Sequence, residues 1–341
     1  MSWAANGLNT IHAAGAGGIG GWVELGRTTL GSVGDTITVS SLSDKRYYMV
    51  LSDTTFASGN IGETMRFNND SGTNYAVRND SNGGGDSTVT SQTDIDIRES
   101  VNPQFSVSYI ANRSANEKLM IAHAVNRSTA GATTAPVRRE VVGKWANTSN
   151  AINRIDIVND QSGDFGTGAE CVVLGWDPAD THTNNFWAEL ASVSGDGVST
   201  SLSTGTISAK KYLWVQGYSG AAVQNFGMQF NNDTSTNYAS RENTDGGTDS
   251  TLTSQSTTRG CDNSPYFYNC FIINNSANEK LGIQHTIRTN TGSGAANAPA
   301  RQEHVFKWAN TSNQITEIDF VQQSTSVVFG TEAIFKVWGA N

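Results

Sequence analysis

Hydrophobic and polar residues alternate with a period of two through much of the chain. Phe105, Val107 and Tyr109 are separated by Ser106 and Ser108, and Leu119, Ile121 and Val125 share one face of the next segment. Leu281, Ile283 and Ile287 repeat that face, while Ile155 and Ile157 flank Asp156 as Ile318 and Phe320 flank Asp319. Successive side chains of an extended strand point to opposite sides, so this pattern predicts half-buried antiparallel strands. Between the strands lie Asn82-Gly83-Gly84-Gly85-Asp86, Ser162-Gly163-Asp164, Asp245-Gly246-Gly247 and Ser293-Gly294. Such residues tolerate left-handed backbone or bond to their own main chain, and they mark turns. Many short strands spaced by turns predict an all-β protein of antiparallel β-sandwich, jelly-roll-like domains.

The pattern occurs twice. Trp22-Val23-Glu24-Leu25 matches Trp187-Ala188-Glu189-Leu190, and Phe67-Asn68-Asn69-Asp70 with Asn74-Tyr75-Ala76 matches Phe230-Asn231-Asn232-Asp233 with Asn237-Tyr238-Ala239. Ser114-Ala115-Asn116-Glu117-Lys118-Leu119 returns from Ser276 to Leu281. The segment from Lys144 to Asn150 returns unchanged from Lys307 to Asn313. The offset stays between 162 and 165, so the two copies hold nearly the same loop lengths. A period this long is a duplicated domain, since solenoid repeats span only tens of residues. The organisation expected is a Gly/Ala-rich arm over 1–21, repeat 1 over 22–176, a short polar linker over 177–186 and repeat 2 over 187–341. A linker that short should hold the two modules close together.

Composition narrows the function. Charged residues make up only 16% of the chain, and Gly, Ser, Thr and Asn are abundant, which suits strands and loops better than helices. The 22 basic and 31 acidic residues give a net charge of −9, which argues against nucleic-acid or anionic-membrane partners. No apolar run approaches the length of a membrane helix, and the first residues lack the pattern of a secretion signal. Three cysteines are too few for a disulfide framework. Cys261 and Cys270 can pair if adjacent strands hold them, although repeat 1 has no counterpart; two unpaired thiols are the simpler reading, and Cys171 has no obvious partner.

Candidate chemistry is sparse. Asn68, Asn69, Asp70 and Asn74, with their counterparts Asn231, Asn232, Asp233 and Asn237, offer clustered oxygens of the kind calcium takes. One acid per cluster is few for calcium, and Asn and Asp also build tight turns, so turn or interaction residues are the preferred reading. Trp145 and Trp308 are candidates for a sugar platform or, more simply, for core anchors. His123 and His285 occupy equivalent positions, each completing a mostly apolar strand face. Arg138 and Glu140 share a strand face and suit an ion pair on the sheet surface, as Arg301 and Glu303 do. No hydrolase, P-loop or zinc motif occurs; no catalytic residue, metal or cofactor is expected, and the chain is read as no enzyme.

The string Lys45-Arg46-Tyr47-Tyr48-Met49, then Met65 to Asp70, Asn74-Tyr75-Ala76 and Lys144 to Ser149, resembles a recurrent module in virion proteins of marine tailed phages. The resemblance covers 22–341 and departs from the pattern around Cys261–Cys270. It implies a non-enzymatic component of the particle surface, a head-decoration protein or a tail appendage, assembled in the host cytoplasm. Its partners would be the major capsid protein or tail components, bound as a homo-oligomer or on a lattice. The alternative is a carbohydrate-binding module of a receptor-binding tail protein that recognises a host surface glycan; a glycan-degrading enzyme is a weaker third reading.

Overall fold

A computed structural model describes residues 21–97, 102–181, 184–220, 226–260, 265–289, 294–324 and 327–341. The described residues contain strands, turns and bends but no helix. Among the described residues, strands of the two repeats do not share a sheet. In repeat 1 an eight-stranded antiparallel sheet runs in the order Val23–Thr29, Glu170–Trp176, Tyr47–Thr54, Gln104–Ala111, Lys118–Asn126, Val137–Trp145, Tyr75–Ser81 and Ser87–Gln92. A smaller sheet of Thr36–Ser40, Arg154–Asn159, Glu63–Phe67 and Ile95–Asp96 covers one of its faces. Repeat 2 has the same large sheet, from Ala188–Ser194 through Ile334–Ala340, Tyr212–Ser219, Tyr266–Ile273, Lys280–Arg288, Ala300–Trp308 and Tyr238–Thr244 to Ser250–Gln255. Its small sheet has three strands, Ser201–Ser203, Ile318–Gln322 and Phe226–Phe230. The protein is thus two tandem β-sandwiches. The arm lies outside the described residues apart from Gly21, and so does Cys261; Cys270 and Cys171 are free, buried thiols.

Each sandwich has its own core. In repeat 1, Tyr48, Val50, Ile110, Met120, Ala122, Ala124, Val141 and Trp145 of the large sheet meet Ile37, Met65, Phe67, Ile155 and Ile157 of the small one. In repeat 2, Leu213, Val215, Tyr268, Ile272, Phe306 and Trp308 meet Leu202, Met228, Phe230, Ile318 and Phe320. The alternation seen in the sequence needs a correction here. Phe105, Val107, Leu119, Ile121 and Val125 belong to the opposite face of the large sheet, turned away from the sandwich core. The strand Lys118–Asn126 is apolar on both faces, as strands covered on both sides are, whereas Gln104–Ala111 turns buried Gln104, Ser106 and Ser108 toward the small sheet.

What covers the second face is the other repeat. Met49, Leu51, Phe105, Val107, Val125, Val172 and Leu174 of repeat 1 form a third apolar cluster with Trp187, Tyr212, Phe271, Leu281, Ile283, Val305 and Trp338 of repeat 2. The two large sheets therefore pack face to face. Phe186 of the linker adds to this cluster, and its N–H donates to the Trp22 carbonyl at 2.8 Å. Lys45 of repeat 1 pairs with Asp180.

Candidate functional site: the face between the repeats

The segments that match best between the copies form a latch inside each sandwich. Asn68 and Asn69 have φ of 53° and 56°, and Asn231 and Asn232 have 52° and 56°, the left-handed region that Asn tolerates. Asn68 accepts from the N–H groups of Asn153 and Arg154 at 2.8 and 3.1 Å and donates to the Ala151 carbonyl at 2.8 Å. The Asp70 carboxylate accepts the Trp145 indole N–H at 2.7 Å, the Asn74 amide at 2.9 Å and the Gly72 N–H at 2.9 Å. Asp233 accepts from Trp308, Asn237 and Ser235 at 2.8, 2.8 and 2.9 Å. Burial alone would raise the Asp70 pKa, but the donors from Trp145, Asn74 and Gly72 together hold it below the usual carboxylate value. Trp145 and Trp308 are buried, stacked on Tyr75 and Tyr238 respectively. Lys118 lies over the Trp145 ring and Lys280 over the Trp308 ring.

Polar groups frame the contact between repeats. Asp53 and Glu170 of repeat 1 receive the Lys211 ammonium at 3.2 and 3.0 Å; Tyr212 donates to Glu170 at 2.8 Å and Asn275 to Asp53 at 2.7 Å. Lys307 donates to the carbonyls of Arg127 and Thr129. Arg138, expected on an open sheet surface, is instead buried against repeat 2, where it meets Asp249 at 2.8 Å and Glu303 at 3.2 Å as well as Glu140. A surface strand position became an interface position because the other repeat stacks on that face.

The contact uses only half of each large sheet, and the halves are opposite ones. Leu281, Ile283 and Val305 are buried, whereas their counterparts Leu119, Ile121 and Val142 are open to solvent; Leu119 is 58% exposed and Leu281 3%. Conversely Asp53, Phe105 and Val125 are buried, whereas their counterparts Tyr218, Phe267 and Ile287 are open; Ile287 is 49% exposed and Val125 0%. Repeat 2 therefore docks through a half-face that repeat 1 also owns and leaves bare. It docks onto a half-face that repeat 2 in turn leaves bare. The bare part of repeat 1 is a trough of 370 Å³ lined by Trp22, Tyr47, Tyr109, Leu119, Ile121 and Trp176, with Tyr47 stacked on Trp176 at 5.4 Å. A second hollow of 450 Å³ continues over Val77, Val89 and Val142. None of these trough residues belonged to the expected sites. The signal that would have found them is a strand carrying apolar residues on both faces.

The boundary between covered and bare halves falls at His123 and His285. Nδ1 of His123 and Nε2 of His285 are 3.2 Å apart, with ring centres at 4.1 Å. Across the strand pair, His123 stands opposite Glu140 and His285 opposite Glu303. One ligand atom from each of His123, Glu140 and His285 lies within 4.8 Å of the others. Burial pushes the His123 imidazole well below its usual pKa, and it pushes His285 down to about 4. Burial and the neighbouring Glu303 push Glu140 up to about 7 against the pull of Arg138.

No family model matches this chain, and no curated protein matches it. Among solved structures, domains LG4-5 of the mouse laminin alpha1 chain align over 95% of this chain and 92% of that one, at 10% identity and a TM-score of 0.18. Human GIVD cytosolic phospholipase A2 aligns over 78% of this chain and 33% of that one, at 7% identity and a TM-score of 0.13. Likenesses at these scores carry neither fold nor function across.

Proposed function

We propose that the chain is a non-enzymatic structural protein of a phage particle surface, as head decoration or tail appendage, and that it docks to a second copy of itself. The observation that carries the docking to a second copy is the reciprocal exposure of the two large sheets. The bare half-face of repeat 1 is the counterpart of one already buried within the chain, and its complement stands bare on repeat 2. A second copy supplies what is missing to each. The bare half-face of repeat 1 takes Tyr218, Phe267 and Ile287 of a neighbour, repeating the contact between repeats. Two reciprocal contacts between the same copies close a pair; contacts with different copies build a row. Contiguous aromatic and aliphatic surface of this kind marks a docking site. The particle setting is supported by the motif resemblance given above.

The test is sedimentation of the purified chain over a range of concentrations. Reversible self-association is expected, and Ile121→Glu should weaken it at least tenfold while leaving the chain folded. A chain that stays monomeric up to its solubility limit sinks the reading. A second reading has one observation in its favour. The aromatic trough borders a polar recess lined by Asp44, Arg46, Asn112, Arg113 and Asp177, and stacked rings beside such groups suit a sugar. Specific, saturable signal on a glycan array from a monomeric chain supports that alternative.

A further inference from the structure

We propose that His123, Glu140 and His285 form a binding site for a divalent transition-metal cation, zinc by its chemistry, which clips the two repeats together. The three side chains come from both repeats, and each histidine has its exact positional counterpart in the other copy. The sequence shows no zinc motif because the site exists only once the sheets stack. Duplication followed by antiparallel stacking brings equivalent residues together at the crossing point, so one retained His–Glu pair per repeat suffices to build it.

The geometry places nitrogen and oxygen donors at the spacing of metal ligands. Two nitrogens on one tetrahedral zinc sit about 3.3 Å apart, and the His123 and His285 nitrogens are 3.2 Å apart. Glu140 supplies an oxygen within the same 4.8 Å cluster. Two imidazoles and one carboxylate, with a fourth position left to water, are a ligand set that zinc accepts. The surrounding charges are suited to hold such a set. Arg138 grips Glu140 and Glu303 from the side, and Arg301 holds the other Glu303 oxygen at 3.3 Å, so Glu140 is oriented from outside the ligand cluster. A cation bound here accepts one lone pair from each imidazole and one from the Glu140 carboxylate.

The experiment uses the full chain, freed of metal with a chelator and then titrated with zinc chloride in a calorimeter. One zinc per chain is expected, with micromolar affinity or better and a raised melting temperature. Cobalt(II) in its place should give the visible absorption of a four-coordinate site. His123→Gln and His285→Gln should each weaken binding at least tenfold, and Glu140→Gln should weaken it as well; circular dichroism establishes which variants are folded. Absence of stoichiometric binding at submillimolar zinc overturns the proposal. So does unchanged binding in a folded variant lacking either histidine, or in Glu140→Gln should the histidine variants not fold. Self-association through the bare half-faces is independent of this result, because the metal ligands all lie within one chain.

Discussion

At the scale of single residues, the two copies have kept what the backbone needs to turn sharply and lock. Asp70 is the hinge of that lock, with an indole, an amide and a main-chain N–H converging on one carboxylate. Hydrogen bonds to a charged acceptor contribute about 1.5–3 kcal/mol, and an orphaned buried donor costs about 1–3 kcal/mol. Asp70→Ala should therefore lower unfolding stability by about 2 kcal/mol in urea, with Asp233→Ala doing the same in repeat 2. Both carboxyls have folded pKa values below the usual one. Their ionisation thus contributes stability above the unfolded pKa, and that increment is lost as pH falls through the folded value. Titration of unfolding midpoints below about pH 4 should show a smaller acid loss in Asp70→Ala than in the native chain. The asparagines and the tryptophan were legible as a repeated unit in the sequence. Their bonding to one another was not, since it depends on the Val137–Trp145 strand passing beside the Asp70 turn.

At the scale of elements, the strands Lys118–Asn126 and Lys280–Arg288 are the same object in two surroundings. Ile121 and Ile283 share residue type, strand position and equivalent flanking strands, and differ in whether another sheet lies over them. Removing a packed isoleucine side chain down to alanine costs about 2–5 kcal/mol, through lost transfer energy and the cavity left behind. Ile283→Ala should fall in that range, whereas Ile121→Ala in the dissociated chain should cost well under about 1 kcal/mol. Equal costs, measured by denaturant unfolding at low concentration, would remove the assignment of Ile121 to an open face. The strand pattern gave the period of two but not the surroundings of the faces, since strands expected to be half-buried are covered on both sides over part of their length. It could not say which apolar face turns inward, because Met120, Ala122 and Ala124 on one side are as apolar as Leu119, Ile121 and Val125 on the other.

At the scale of the whole molecule, cohesion between repeats depends on ionisation at their meeting point. The imidazoles of His123 and His285 are depressed, the second to about 4. A depressed histidine contributes stability that is present above its unfolded pKa near 6.5 and lost as pH falls toward the folded value. Glu140, raised to about 7, works in the other direction: its contribution is present below its unfolded pKa and lost as pH rises through 7. Arg138, Arg301, Glu303 and His304 complete the charged surroundings of this cluster. Two histidines against one carboxyl leave a net loss on the acid side. With metal removed, the unfolding midpoint should fall between pH 6.5 and 4, and the variant carrying both His123→Gln and His285→Gln should show a flatter profile there. A native chain whose midpoint is constant over that window would contradict the burial of the pair.

The sequence by itself determined the strands, the turns, the duplication and the lack of helix among the described residues, because period-two alternation and turn chemistry are local and survive without any tertiary partner. It also placed His123 and His285 at equivalent positions on apolar faces. Only the tertiary structure decided that these faces belong to a third core, that Arg138 is buried, and that half of each large sheet stays bare. Such facts depend on how two sheets of nearly identical pattern lie across one another. Stacking is a relation between residues some 160 positions apart, and no periodicity within either copy encodes it.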